Sequence, residues 1–178
     1  MGTGEIAVTA IAVVFLVWYF AGNLVNRRRA SQLLGAVRAS IGAAGRAPTV
    51  QWHGRSAFAV TVGEPAAPLA GLYLLCLLEP RDFPLALAWN RLRGRRDQVL
   101  IHADFVRPPR AGEQLDPASF GIRGLTGVAL NATQPHLRLT LQVGSGDEAA
   151  IAAALDLVCE LAGVTRRPTS RPADGSRR

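Results

Sequence analysis

His102 and Asp104 come nearest in this chain to a chemical constellation. Two positions apart on an extended segment, they point to one face of a strand, and a histidine oriented by a carboxylate is half of an acid–base arrangement. The alternation of that segment puts both on its polar side, where a solvated pair is the ordinary outcome. His53 and His136 have no His, Cys or carboxylate at a metal-ligand spacing on a helix. Cys76 and Cys159 stand 83 positions apart and belong to no CxxC pair, so neither a metal site nor a disulfide framework is written here. No serine sits in a nucleophile elbow, no phosphate-binding loop follows a strand, and Gly121 to Gly124 reads as a turn. The chemistry therefore predicts no catalytic residues, no cofactor and no metal.

The densest basic patch outside the termini is Arg91, Arg93, Arg95 and Arg96. Arginines that end a short helix complement its dipole; contact with lipid phosphates is the alternative. All twenty basic residues are arginine, a bias that GC-rich coding produces without any functional demand. The formal charge of +7 is unevenly placed. Residues 1–48 carry five arginines against Glu5, and 166–178 carry five against Asp174, whereas 49–165 hold ten arginines against eleven acids. A nucleic-acid-binding domain carries its own basic face, so no nucleic-acid partner is expected. Basicity beside a membrane fits anionic headgroups, at about 1 kcal/mol per arginine.

That membrane is written in residues 6–25, IAVTAIAVVFLVWYFAGNLV, twenty residues without a charge. At about 1.5 Å per residue the run spans roughly 30 Å, the hydrocarbon thickness of a bilayer. A cleaved signal starts with a positive region, but here the charges follow as Arg27, Arg28 and Arg29, and Glu5 precedes. The run thus reads as an uncleaved single-pass anchor, with Trp18, Tyr19 and the three arginines at the membrane interface. The positive-inside rule places a short extracytoplasmic N-terminus at 1–5 and the rest of the chain in the cytoplasm of a cell membrane. Thr9, Gly22 and Asn23 depart from pure hydrocarbon and allow packing against another helix.

Residues 26–48 form a basic juxtamembrane helix and linker. Leu33, Leu34, Val37, Ile41 and Ala44 share a face, which suits an extended anchor, a helix lying on the membrane, or packing on the domain or on a partner. Gly42, Gly45 and Pro48 read as the linker. The domain spans 49–164, with strands expected at 49–52, 57–62, 69–78, 98–106, 125–131 and 137–143. Leu69 to Leu78 is apolar on both faces, as in a central strand covered on both sides. Pro84, Leu85, Ala88, Trp89 and Leu92 predict a helix over 84–93. Ser145 and Glu148 form a capping box for a second helix, with Ile151, Leu155, Val158 and Ala162 on its inner face.

Trp52, Phe58 and Trp89 are assigned to the core, with interface anchoring as the alternative, and Cys76 fills the core. The strand and helix pairs at 72–93 and 137–162 suggest two copies of a strand–strand–strand–helix unit. Residues 165–178, rich in Arg, Pro and Ser, are expected to be disordered.

The fold class is accordingly α+β. One transmembrane helix precedes a small cytoplasmic domain, a mostly antiparallel sheet of about five or six strands with two helices packed on it. Function follows from address more than chemistry: a membrane-anchored accessory protein whose domain docks on a protein partner beside the lipid bilayer. The polar segment 107–119, with His102 and Asp104 as pocket candidates, supports a ligand-binding or sensory alternative. An enzyme using that pair is the remaining reading.

Overall fold

The computed structural model describes residues 2–81, 83–94, 96–110, 112–144 and 146–163. Asp82, Arg95, Ser145 and the tail 165–178 lie outside the described residues.

The apolar run and the juxtamembrane segment form one unbroken helix, α1 (Thr3–Ser40), tightened to a 3-10 turn at Ile41–Ala43. Its N-terminal half is long and apolar enough to cross a membrane: mean hydropathy reaches 2.1 over an 18-residue window of which only 6% is buried. Further along, a stripe turns inward through Gly22, Asn26, Arg29, Ala30, Leu33 and Val37. Apart from the adjacent Arg29 and Ala30, successive positions are three or four apart, so they share one helical face, and Ile41 and Ala44 prolong it into the core. The structure combines two of the arrangements open to the juxtamembrane helix: it extends the apolar helix without a break, and it packs on the chain's own domain.

The sheet has seven strands: β1 (Gly45–Trp52), β2 (Ala57–Pro65), β3 (Leu69–Leu77), β4 (Asp97–Phe105), β5 (Glu113–Leu115), β6 (Leu125–Leu130) and β7 (Leu137–Val143). They run in the order β1-β2-β3-β4-β7-β6-β5, every pair antiparallel. The seventh strand is β5. It lies inside the polar segment 107–119, whose backbone pairs with β6, and a 3-10 turn at Pro117–Phe120 follows, capped by the Asp116 carboxylate at 3.0 Å from the Ala118 amide. Gly45 and Pro48, read as linker, lie within β1, because the chain enters the sheet directly from the helix.

One face of the sheet carries the core. Val60, Leu74, Ile101 and Leu139 are completely buried, and α3 (Glu148–Ala162) covers them together with the C-terminal half of α1. The alternation expected of β4 is the observed one, and β7 alternates in the same way. Strand β3 is covered on one side only: Leu72, Leu74 and Cys76 are buried, whereas Tyr73, Leu75 and Leu77 stay half-exposed on the opposite face. Helix α3 starts at Glu148 with Asp147 as its N-cap residue. The Asp147 carboxylate accepts the Gly144 amide at 3.0 Å.

The two helices on the sheet are therefore α3 and half of α1. Helix α2 (Pro84–Leu92) buries no residue at all, so the expected helix at 84–93 exists without packing on the sheet. The suggested repeat loses its equivalent helices for the same reason. Phe58 is fully buried, but Trp52 and Trp89 are 52% and 56% exposed and do not belong to the core.

Both thiols are buried. Burial pushes Cys76 up to about 12, so almost no thiolate exists at neutral pH. The folded chain is expected to resist maleimide until denatured, as mass spectrometry would record. Rapid labelling of Cys76 would contradict its place in the core.

Candidate functional site

Where α1 meets the domain, the buried side chains of Asn26, Arg29 and Glu79 gather with Arg81 and Glu148 around one carboxylate. Asp97 opens β4 and is 3% exposed. Its Oδ2 accepts the Arg29 Nε–H at 3.1 Å, and both its oxygens accept Arg81 at 3.0 and 3.1 Å. The Glu79 amide also donates to it, at 2.8 Å. Arg29 continues to the Glu148 carboxylate at 2.8 Å and to the Gly144 carbonyl, at the start of α3. Arg81 continues to the Asn26 side-chain oxygen at 2.8 Å. The network thus ties the helix to the segment after β3, to β4 and to the start of α3 at one point. Charged bonds in a dry site are strong, but removal of one member leaves an uncompensated charge.

Glu148 titrates below the ordinary carboxylate range, first through its own backbone amide at the helix start and then, against the opposing cost of burial, through Arg29. Buried Glu79 has one oxygen without a partner among the described residues.

Arg29 parts here from Arg27 and Arg28, with which it was grouped at the membrane interface. Those two are exposed; Arg29 is turned into the protein. The signal was present: Arg29 lies three after Asn26 and four before Leu33, in register with the buried stripe. Arg27 and Arg28 are out of register.

Trp18 and Tyr19 also reach the domain. The Trp18 indole N–H donates to the Arg81 carbonyl at 3.2 Å. Arg55 donates to the Tyr19 hydroxyl, its guanidinium 5.4 Å over the ring. A hollow of about 360 Å³ lies between α1 and the β1–β2 hairpin, lined by Asn23, Arg27, Trp52 and Arg55 among others. Arg91, Arg93 and Arg96 are exposed.

His102 and Asp104 share the sheet's open face, yet among the described residues no hydrogen bond joins them. His102 stacks on Tyr73, ring centroids 6.1 Å apart. Asp104 instead accepts the His136 amide at 3.4 Å, and the His136 ring sits beside it with Nδ1 occupied by the Phe105 amide at 2.9 Å. An imidazole nitrogen that accepts a backbone N–H cannot also hold a proton there. The cavities found among the described residues border α1, α2, and the end of β4 beside the end of α3. Among the described residues no cluster of three metal-ligating side chains occurs.

His102 is held below its usual 6.5, by burial first and then by Arg138, against the opposing pull of Asp104. The unfolded chain then binds more protons than the folded one as pH falls through 6.5, so stability drops in that window and is constant above it. His102→Gln is expected to remove this part of the pH dependence of Tm, with wild-type His102 titrating below 6.5 by NMR.

Fold and site together define an α+β domain clamped through a buried ion network to a single helix able to span a membrane. No family model matches the sequence, and no curated protein is significantly similar to it.

Proposed function

We propose that this chain is a non-catalytic, single-pass membrane accessory protein whose cytoplasmic domain docks on a protein partner. The observation that carries this is the uncovered face of the sheet. Both packed helices lie on the other face, leaving Tyr73, Leu75, Leu77 and Leu100 half-exposed across β3 and β4. A half-apolar sheet surface with aromatic and arginine neighbours, here Tyr73 and Arg138, has the composition that protein interfaces favour. The continuous helix and its ion network hold that face at a set angle to the anchor, which suits a docking platform. The exposed Arg27 and Arg28 support the cytoplasmic orientation.

A photo-reactive residue at Tyr73 or Leu100 of the full chain, in native membranes, is expected to capture one protein of discrete mass. Glu160, exposed on α3, should capture none, and Leu100→Arg should abolish the product at Tyr73. Equal capture from both faces, or none from the open one, would overturn the reading.

A further inference from the structure

We propose that α2 is an interfacial helix embedded in the bilayer surface beside the anchor, its apolar stripe among the acyl chains and its arginines on lipid phosphates; this rests on reading α1 as a membrane span. Leu85, Ala88, Trp89 and Leu92 follow the i, i+3, i+4, i+7 spacing of one helical face. That face points away from the protein: Leu85 is 67% exposed, Trp89 56% and Leu92 82%, with Phe83 just before the helix at 51%. Burial of such side chains is favourable in proportion to the apolar area removed from water, so a nine-residue helix that buries none of its residues in the domain needs another apolar phase.

Position along α1 identifies that phase. The inner side of α2, through Leu87 and Arg91, borders Trp18, Ala21, Gly22 and Val25 across a hollow of about 260 Å³. Trp18 is itself bonded to Arg81, in the turn that leads into α2. From Trp18 to Val25 the helix rises roughly 10 Å. This is the C-terminal end of the uncharged run, and amphipathic helices lie about 5–10 Å into the headgroup boundary. A protein partner at this height would have to share that lipid boundary.

Charge agrees. Helix α2 contains no carboxylate; Arg91 lies in its last turn on the side of the anchor, and Arg93 and Arg96 follow its C-terminal end. The Arg93 guanidinium sits 4.4 Å over the Trp89 ring, pairing a cation with an interfacial aromatic. Across the anchor, Arg55 stands over Tyr19, so basic side chains meet α1 on two sides at one level.

The test uses the full chain in phosphatidylcholine vesicles, with and without phosphatidylglycerol. Trp18→Phe with Trp52→Phe leaves Trp89 as the single indole of the three. Brominated lipids should quench Trp89, more strongly with bromines near the headgroup than near the chain end. Leu85→Glu with Leu92→Glu should lose the quenching while the chain still floats with the vesicles and keeps its circular dichroism. Arg91→Gln, Arg93→Gln and Arg96→Gln together should weaken quenching in the anionic vesicles; an unchanged signal would overturn the phosphate contact. Unquenched Trp89 in a chain that floats, or stronger quenching by the deep bromines, overturns the interfacial helix and leaves the anchor standing. A chain that fails to float overturns both.

Discussion

Asp97→Ala is expected to destabilise the domain by about 3–5 kcal/mol, the cost of removing one member of a buried ion pair. The reason is geometric. Arg29 and Arg81 approach Asp97 from two sides at 3.0–3.1 Å, so its loss leaves two guanidiniums facing each other in a site where Arg29 is 7% exposed. The Glu79 amide loses its acceptor as well. Asp97→Asn keeps the shape but halves the acceptors and removes the charge, so it should also be severe. Urea unfolding of the detergent-solubilised chain, followed by far-UV circular dichroism, measures the loss. A change below about 1 kcal/mol, the usual worth of an exposed pair, would mean that the network is solvated.

The second large effect concerns where the domain begins. A fragment starting at Asn26 is expected to fold, whereas one starting at Thr49 is not. Composition alone suggests Thr49, because Gly42, Gly45 and Pro48 resemble a linker. In the structure the shorter fragment loses Ala30, Leu33, Val37, Ile41 and Ala44, all buried against the sheet or α3. It also loses Arg29 from the ion network and half of β1. Truncating one large core side chain costs about 2–5 kcal/mol, against a total stability of about 5–15 kcal/mol. Proton NMR dispersion of the two fragments decides the matter, and a well-folded Thr49 fragment would show that α1 merely leans on the domain.

Much of this architecture was legible because it is local. The uncharged run, the alternation of Val99, Ile101 and Ala103 against Leu100 and His102, and the helical face of Ile151, Leu155 and Val158 are all periodicities of neighbouring residues. Periodicity states which side chains share a face. It does not state what that face meets. The stripe at Leu85, Ala88, Trp89 and Leu92 was correctly periodic, and the assignment of Trp89 to the core was still wrong. The stripe at Leu33, Val37 and Ile41 left three environments open until the sheet was seen beneath it. Likewise β5 has only three residues, too few for a pattern to register, and exists because β6 offers its backbone.

The candidate site was less legible. Arg29 lay within a run of three arginines that reads as one basic cluster, and its carboxylate partner is 68 positions away. Asp97 stands just before the strand expected at 98–106, and Arg81 between the strand at 69–78 and the helix at 84–93. His102 and Asp104 are close in sequence, but the fold gives Asp104 to His136 instead. Sequence alone determined that this chain carries one helix long and apolar enough for a bilayer, followed by an α+β domain of near-neutral charge. Tertiary structure decided that the same helix is also a wall of the domain's core, held by Asp97, and that α2 faces outward. The division follows from distance along the chain: helical and strand periods repeat within a few residues, whereas burial of a charge depends on partners that only the folded sheet brings together.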